Sequence, residues 1–527
     1  MRIQLVYVGS SLSAYGFRLL ASIVRKNFPE TASRFVMFGN RMSMKQLIAP
    51  VYTAAELTSE QADLIARDIA DCDVLGLASM SEHAAAVKTI VAAVRKVNPR
   101  VFIVWGGVHA IMHPEDAIQH VDAICVSEGE TVFPDLLEKL STGREYTDTK
   151  SFWFRRDGKI VRNGYDPLLS SDQLSDLPLP VFGEDELIYE IGSKGFVPLG
   201  RSHYLAYDAL SYNTVWSRGC PYRCSYCGNT RFLEIDKNYG KLRHSSVDHL
   251  LAEIRAAVEK MPHISSISFH DDCFIGLPPE TLQSFADRMK AEIGLPFTIF
   301  GVTPADIRKE KIEILLSGGL SRVRMGVQSG SDKILKFYKR PNRAGFVKHA
   351  IDILGEFSGR MLPPSYDMIF DNPIETQEDI NATLRLIYDM PRPFALNIFS
   401  LRYIPNTELG RELAALDIEV EGIDKNYSSV KPTFANLVMY LVALVKIPRP
   451  MFEFLLKYTK PYRESPHRYQ FPITVLRLLY LMKRAYYHLK WFDFSLVFGR
   501  VGWLLKRSGL LKGAYQVQQK PSYSRSA

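Results

Sequence analysis

Three of the six cysteines of this 527-residue chain fall within one short run, Ser217-Arg-Gly-Cys220-Pro-Tyr-Arg-Cys224-Ser-Tyr-Cys227-Gly-Asn. Three thiolates in a C-x3-C-x2-C loop cannot by themselves complete the four-ligand shell of a structural zinc or an ordinary iron–sulfur site. Two readings stay open. Either a distant side chain completes a zinc site, or three thiolates hold three irons of a cubane cluster and leave the fourth iron open to a chelating small molecule. Cys72, Cys125 and Cys273 stand alone, and six unevenly spaced cysteines in a chain this long are no disulfide framework. Cys72 and Cys125 read as buried apolar residues. Cys273, next to an acidic pair, reads as core rather than as a cavity residue.

The cysteine loop needs a scaffold, and the sequence around it supplies one. Residues 214–217 read as a strand entering the loop, and residues 265–270 as a strand ending in Asp271-Asp272. A carboxylate there can accept charge-assisted hydrogen bonds from an ammonium group, or can simply be a solvated turn. Further strands over 323–327, 366–370 and 396–401 lead into Gln328-Ser329-Gly-Ser, Asp371-Asn-Pro-Ile-Glu375-Thr and a last polar loop. Upstream, apolar runs at 3–8, 34–38, 74–78, 101–105 and 123–127 alternate with helical patterns at 15–26, 59–71 and 83–96. Continuous apolar strands separated by helices imply a parallel sheet covered on both faces, with ligands at the carboxyl ends of its strands. Those ends are small and polar: Gly9-Ser10-Ser11, Ser79-Met80-Ser81-Glu82, Gly106-Gly107-Val108-His109 and Glu128-Gly129-Glu130. No G-x-G-x-x-G follows the first strand, which argues against a dinucleotide. Residues 150–165 read as a hairpin turning at Asp157-Gly158, and Leu177-Pro-Leu-Pro180 as a linker.

The cysteine spacing, with Tyr226 before the third cysteine, resembles the radical SAM superfamily. The run Trp105-Gly-Gly-Val-His-Ala, then Pro114, then Ser127-Glu-Gly-Glu, resembles the cobalamin-binding domain that precedes many radical enzymes. Together they imply an α/β chain with an N-terminal doubly wound parallel-sheet cobalamin-binding domain (1–145), a linker with a β-hairpin (146–210), a partial (βα)6 radical SAM barrel (211–410) and a helical C-terminal region (411–527). The resemblance implies a 4Fe-4S cluster on Cys220, Cys224 and Cys227, with S-adenosylmethionine (SAM) near Tyr226, Asp271, Asp272, Gln328 and Ser329. Cobalamin is implied near Ser10, Ser79, Gly106, Gly107, His109, Glu128, Gly129 and Glu130. The chain lacks the Asp-x-His-x-x-Gly loop that places a histidine under cobalt in many relatives, so His109 is expected in the loop rather than as axial ligand. Methylthiotransferases share the Gln-Ser-Gly-Ser stretch but carry three more cluster cysteines in their first domain, which this chain lacks. The implied activity is methyl transfer from SAM through methylcobalamin to an unactivated carbon or phosphorus. The alternative is a cyclase or oxidase of the tetrapyrrole-forming type without net methylation, and a third reading is a non-catalytic cobalamin or redox sensor. No residue is assigned to proton transfer.

Composition limits the remaining options. With 46% hydrophobic and 23% charged residues, large cores are possible and global disorder is excluded. The net charge of +8 is unevenly placed: residues 441–527 hold 16 Lys and Arg against 3 Asp and Glu, leaving 49 against 54 in the rest. A mildly acidic body therefore ends in a basic segment rich in aromatics, and nothing in the body suggests nucleic-acid binding. No apolar run reaches membrane-spanning length, the longest being 437–445, and the N-terminus enters a strand without a secretory pattern. These features predict a cytoplasmic protein with a small-molecule substrate, lipid-like or tetrapyrrole, and an electron donor such as flavodoxin or ferredoxin. The C-terminal region is expected as two helices, over 473–492 and 494–511, the second broken by Gly499 and Gly502. They either cap the barrel or make peripheral contact with a membrane.

Overall fold

A computed structural model describes residues 1–39, 56–183, 185–341, 343–402, 404, 406–418, 420 and 430–510. The first sheet is built from β1 (Ile3–Gly9), β2 (Ala32–Met37), β3 (Val74–Ser79), β4 (Phe102–Gly106), β5 (Ala123–Cys125), β6 (Phe152–Arg156), β7 (Lys159–Arg162), β8 (Leu187–Glu190) and β9 (Val197–Pro198). Its order is β7-β6-β5-β4-β3-β1-β2-β8-β9. The central strands pair in parallel, and alternate side chains feed separate cores on the two faces. Val6, Val8, Leu75 and Leu77 point to one core, and Ile3, Leu5, Val74 and Val104 to the other. The order reverses between β1 and β3, and that switch point is where an open α/β sheet forms a crevice.

Residues 146–210, expected as a linker with a β-hairpin, contain that hairpin and further strands that complete this sheet at both edges. β6 and β7 add antiparallel to β5, while β8 adds parallel to β2 and carries β9. The physical reason is in β6 itself: Phe152, Trp153 and Phe154 are all buried, and an isolated hairpin would leave them in water. The hairpin turns at Asp157 and Gly158, both at positive φ, as the sequence requires.

The second sheet contains β10 (Ser211–Thr214), β13 (Ser266–Phe269), β14 (Phe297–Val302), β15 (Leu320–Gln328), β16 (Ser365–Phe370) and β17 (Ala395–Ser400), in that order and parallel throughout. A two-strand ribbon, β11 (Ser217–Arg218) with β12 (Arg243–His244), flanks the cysteine loop. On β15 the burial alternates: Val323, Met325 and Val327 are fully buried in the main core, while Arg322, Arg324 and Gly326 face the barrel lumen.

The helix Gln470–Lys490 lies against the free edge of β17. The Leu396 amide donates to Tyr480 Oη (2.6 Å), which donates to the Leu396 carbonyl (2.9 Å), so the hydroxyl takes the place of a seventh strand. Lys483 Nζ donates to the Ala443 and Leu444 carbonyls at the end of the helix Phe434–Leu444. The expected break at Gly499 and Gly502 does not occur, because both glycines lie inside the helix Gly499–Arg507. A Cβ at Gly499 would sit 2.4 Å from the Leu205 carbonyl oxygen, and one at Gly502 2.6 Å from Phe494 Cβ. The glycines permit close approach rather than a bend. Among the described residues, no helix is long and apolar enough to cross a membrane.

Candidate functional site

Two cavities meet where the domains touch. The first, about 340 Å³, lies at the carboxyl ends of β1, β3, β4 and β5. Its wall is mainly apolar and includes Gly16, Gly76, Gly106, Gly107 and Gly129. Gly107 has φ +87°, and a Cβ there would approach the Ser79 carbonyl oxygen to 3.0 Å. That glycine-lined crevice fits a large planar ligand pressed against backbone. Of the residues assigned to cobalamin, Ser79, Gly106, Gly107, Glu128, Gly129 and Glu130 line it.

Ser10 and His109 are not among the lining residues of either cavity. His109 is buried between Trp105 (4.7 Å, stacked) and His113 (4.9 Å, stacked), with Nε2 3.1 Å from Asp116. Burial, reinforced by His113, pushes it down to about 4. The indole and the helix that begins at Val108 turn the ring into the core, so the structure does not bring it to the crevice.

The second cavity, about 570 Å³, has walls from both domains. The first domain contributes Met80, Val108, Ser127 and Glu128, and the barrel contributes Arg218, Gly228, Tyr239, His270 and Asp272. Met80, Val108, Ser127 and Glu128 also border the first cavity, so the two cavities share a wall. Arg218 and Gly228 bracket the cysteine loop, placing that loop on the rim.

Cys220 and Cys224 are buried and Cys227 half-buried, all as free thiols. No three His, Cys, Asp or Glu side chains among the described residues converge closely enough for a single metal ion. Burial pushes the Cys227 thiol up to about 12, so its thiolate needs a bound cation. Arg340 Nη1 approaches Cys224 Sγ (3.5 Å) and Tyr226 Oη (3.4 Å), and its buried Nε has no protein partner. Tyr226 packs edge-on against Tyr338 behind the loop. This donor set, with a guanidinium beside it, fits an anionic iron–sulfur cluster. Cys273, as expected, is core: it is fully buried and its thiol approaches Asp306 (3.5 Å).

The acidic pair divides. Asp272 lines the shared cavity and accepts a hydrogen bond from Tyr239 Oη (2.6 Å). Asp271 faces the other way and accepts from the Ser217 amide (2.5 Å), Ser217 Oγ (2.6 Å) and the Trp216 amide (3.2 Å). Desolvation pushes Asp271 up to about 7 despite those bonds, and its task is to hold the strand that enters the cysteine loop. Gln328 and Ser329 also stay out of both cavities. Gln328, at φ +69°, folds back over Gly326, where a Cβ would meet its Nε2 at 2.6 Å. Ser329 Oγ lies 3.1 Å from Thr383 Oγ1 and accepts from the Ser331 amide.

Sequence reasoning missed the contacts that join the halves. Arg218 pairs with Glu130 (2.7 Å) and Glu128 (3.4 Å), and Arg243 with Glu128 (2.9 Å). Glu128 and Glu130, read as ligands of the corrin edge, are thus engaged by the barrel. Arg218 was visible beside the cysteines, but no spacing announces its partners 88 and 90 residues upstream, or that of Arg243, 115 upstream. A second missed feature crosses the lumen. His270 contacts Asn213 (3.3 Å) and stacks on Phe300 (4.2 Å), Phe300 lies under the Arg324 guanidinium, Arg324 pairs with Asp367 (2.8 Å), and Asn397 donates to Asp367 (2.7 Å). One chain of contacts therefore runs from β10, through the residue that follows β13, to β14, β15, β16 and β17.

Comparison with known proteins agrees with this architecture. The B12 binding domain profile matches residues 3–137 and the Radical SAM superfamily profile residues 214–387. The uncharacterized methyltransferase PH0819 of Pyrococcus horikoshii is 25% identical over 70% of this chain and 77% of its own. The anaerobic magnesium-protoporphyrin IX monomethyl ester cyclase of Synechocystis is 25% identical over 56% of each chain, so this chain spans about half of that relative. The structure of the cobalamin-dependent S-adenosylmethionine radical enzyme OxsB, with aqua-cobalamin and S-adenosylmethionine bound, aligns with TM-score 0.60 at 16% identity, over 98% of this chain and 77% of that one. The two matched domains imply a 4Fe-4S cluster, SAM and cobalamin as cofactors. The chain is therefore an enzyme of the radical SAM superfamily that carries a B12-binding domain ahead of its barrel.

Proposed function

We propose that the protein is a cobalamin-dependent radical SAM methyltransferase acting at an unactivated carbon or phosphorus of a large small-molecule substrate. The observation that carries this reading is the shared cavity, whose walls come from the glycine-rich loops of the first domain and from both flanks of the cysteine loop. Bound there together, the cofactors would supply a substrate radical and the methyl group that quenches it. The chain's own part is positional. Cys220, Cys224 and Cys227 would hold the cluster, and Asp272, aligned by Tyr239, would receive the SAM ammonium. Gly106, Gly107, Gly129 and Ser79 would cradle cobalamin, and the Arg218–Glu128–Glu130 contact holds the two halves of the cavity together.

The methyltransferase relative supports methylation, while the cyclase relative supports a rival in which the same cofactors drive ring formation without net methyl transfer. Within the lumen, the rings of Phe300 and Phe399 flank Arg324, whose charge is paired with Asp367, and this aromatic wall favours a substrate with a planar group, as a tetrapyrrole has. A cytoplasmic setting, with flavodoxin or ferredoxin as electron donor, completes the proposal. The test is anaerobic reconstitution with cobalamin, SAM and reductant. Formation of both 5′-deoxyadenosine and S-adenosylhomocysteine, with a methylated product, supports methyl transfer. Formation of 5′-deoxyadenosine alone on true substrate moves the reading to the cyclase type.

A further inference from the structure

The helix Gln470–Lys490 is anchored on one side and bare on the other. Its inner face buries Ile473 and Tyr480 and is tied to β17 through Leu396. Its outer face exposes Phe471, Val475, Leu479, Met482, Tyr486 and Leu489. Their spacings of three and four residues draw one straight stripe along the helix. Phe471 is 79% exposed and Met482 66%. Other surface helices differ: Lys309–Ser317, for example, exposes Lys309 and Glu310 in its first turn. A continuous apolar row is not the ordinary solvated face that a basic segment would be given by default.

The charges around the stripe decide its occupant. Between 455 and 510 the sequence holds eleven Lys and Arg against only Glu464 and Asp493. Asp493 is buried and consumed by Arg322 (2.7 Å) and His488 (3.0 Å). Lys457, Lys460, Arg463 and Arg468 precede or open the helix, Lys490 closes it, and all five are exposed without an acidic partner among the described residues. A second copy of the chain would bring this positive field against its own image. A surface of anionic lipid headgroups complements it and takes up the apolar row between the charges. Tyr486 suits the headgroup level, with a polar tip on an exposed apolar ring.

We propose that this face is a docking surface for an anionic lipid bilayer, with the helix lying in the plane of the interface. The proposal is independent of the chemistry in the barrel. It is tested by flotation of the full-length reconstituted protein with vesicles of phosphatidylcholine alone and of phosphatidylcholine with phosphatidylglycerol. The protein should float with the anionic vesicles at least tenfold more than with the neutral ones at about 0.15 M salt, and high salt should release much of it. The double variant L479Q/M482Q alters only exposed side chains, so it should fold and retain bound cobalamin, yet lose most of the flotation. The charge variant R468Q/K490Q should lose the preference for anionic lipid. Light scattering supplies the contrary outcome. A stable dimer that L479Q/M482Q dissociates would show that a second copy covers the stripe and would overturn the proposal. So would absence of flotation with either vesicle, or flotation unchanged in both variants.

Discussion

Arg218 and Glu130 meet at 2.7 Å across the domain boundary, with side chains only 16% and 11% exposed. The arginine stands two positions before Cys220 and the glutamate begins just after β5, so one contact ties the rim of the cysteine loop to the mouth of the first-domain crevice. Removing one partner leaves a charge with little water to solvate it. R218Q is expected to cost roughly 3–5 kcal/mol of stability, read by denaturant unfolding. The double variant R218Q/E130Q should recover part of that loss, and full additivity of the single losses would show that the pair is not coupled.

The three loop cysteines should behave as one unit. C220A, C224A and C227A should each lose the visible iron–sulfur absorption after reconstitution and abolish SAM cleavage. C273A is expected to keep the cluster and SAM cleavage but to shift the visible spectrum, because that buried thiol lies beside Asp306 and hydrogen-bonds with Cys220. Iron content and the visible spectrum check the contrast.

Cobalamin retention distinguishes Gly107 from His109. G107A forces a Cβ into a positive-φ position 3.0 Å from the Ser79 carbonyl oxygen, at a cost of about 1–2 kcal/mol, and should sharply reduce bound cobalamin. H109A, whose ring lies among Trp105, His113 and Asp116, should leave the visible and paramagnetic signature of the cobalt unchanged.

The two aspartates should separate in kind. D272N is expected to weaken SAM binding on the order of tenfold while leaving the unfolding midpoint nearly unchanged, since only the Tyr239 contact is altered. D271N touches the Ser217 and Trp216 amides and should lower stability first. Equilibrium binding of SAM, measured beside thermal unfolding, decides between these patterns.

Stability should also depend on pH through Glu253. This carboxyl is buried, accepts from Tyr212 (2.8 Å) and Thr214 (2.6 Å), and desolvation raises it from 4.5 to about 7. Below pH 4.5 both folded and unfolded chains hold the proton. Between there and about 7 the folded chain alone retains it, so stability falls as pH rises through that window and levels off above it. The fall from this group amounts to roughly 3 kcal/mol. E253Q should lessen the fall by about that amount without abolishing it, because Asp271, also raised to about 7, and Glu375, raised to about 8, titrate in the same range, and unfolding curves at pH 5 and about pH 8 would show it.

Much of the scaffold was legible because its signals are local. The apolar runs placed β1, β3 and β4 within a residue or two, and Asp157-Gly158 turned where such a pair must. The cysteine loop was legible for the same reason: its three cysteines share one short segment. What escaped depends on direction and distance. Asp271 and Asp272 are adjacent letters, yet a strand end turns one into the core and the other to the cavity. His109 was expected in the loop at the crevice, and Trp105 takes its face instead. Gly499 and Gly502 read as breakers because a sequence does not reveal the Leu205 carbonyl and Phe494 that only glycine can approach. Glu128 and Glu130 carry negative charge toward partners that only the folded chain supplies.

Tyr480 has a consequence for anyone wishing to dissect this chain. A six-stranded sheet that does not close on itself ends in a strand with free amides and carbonyls, and here one phenol and its helix occupy that margin. A barrel excised without residues 441–527 would offer β17 to the next barrel in solution. The expected yield of that excision is a ladder of polymerised barrels rather than a smaller working enzyme.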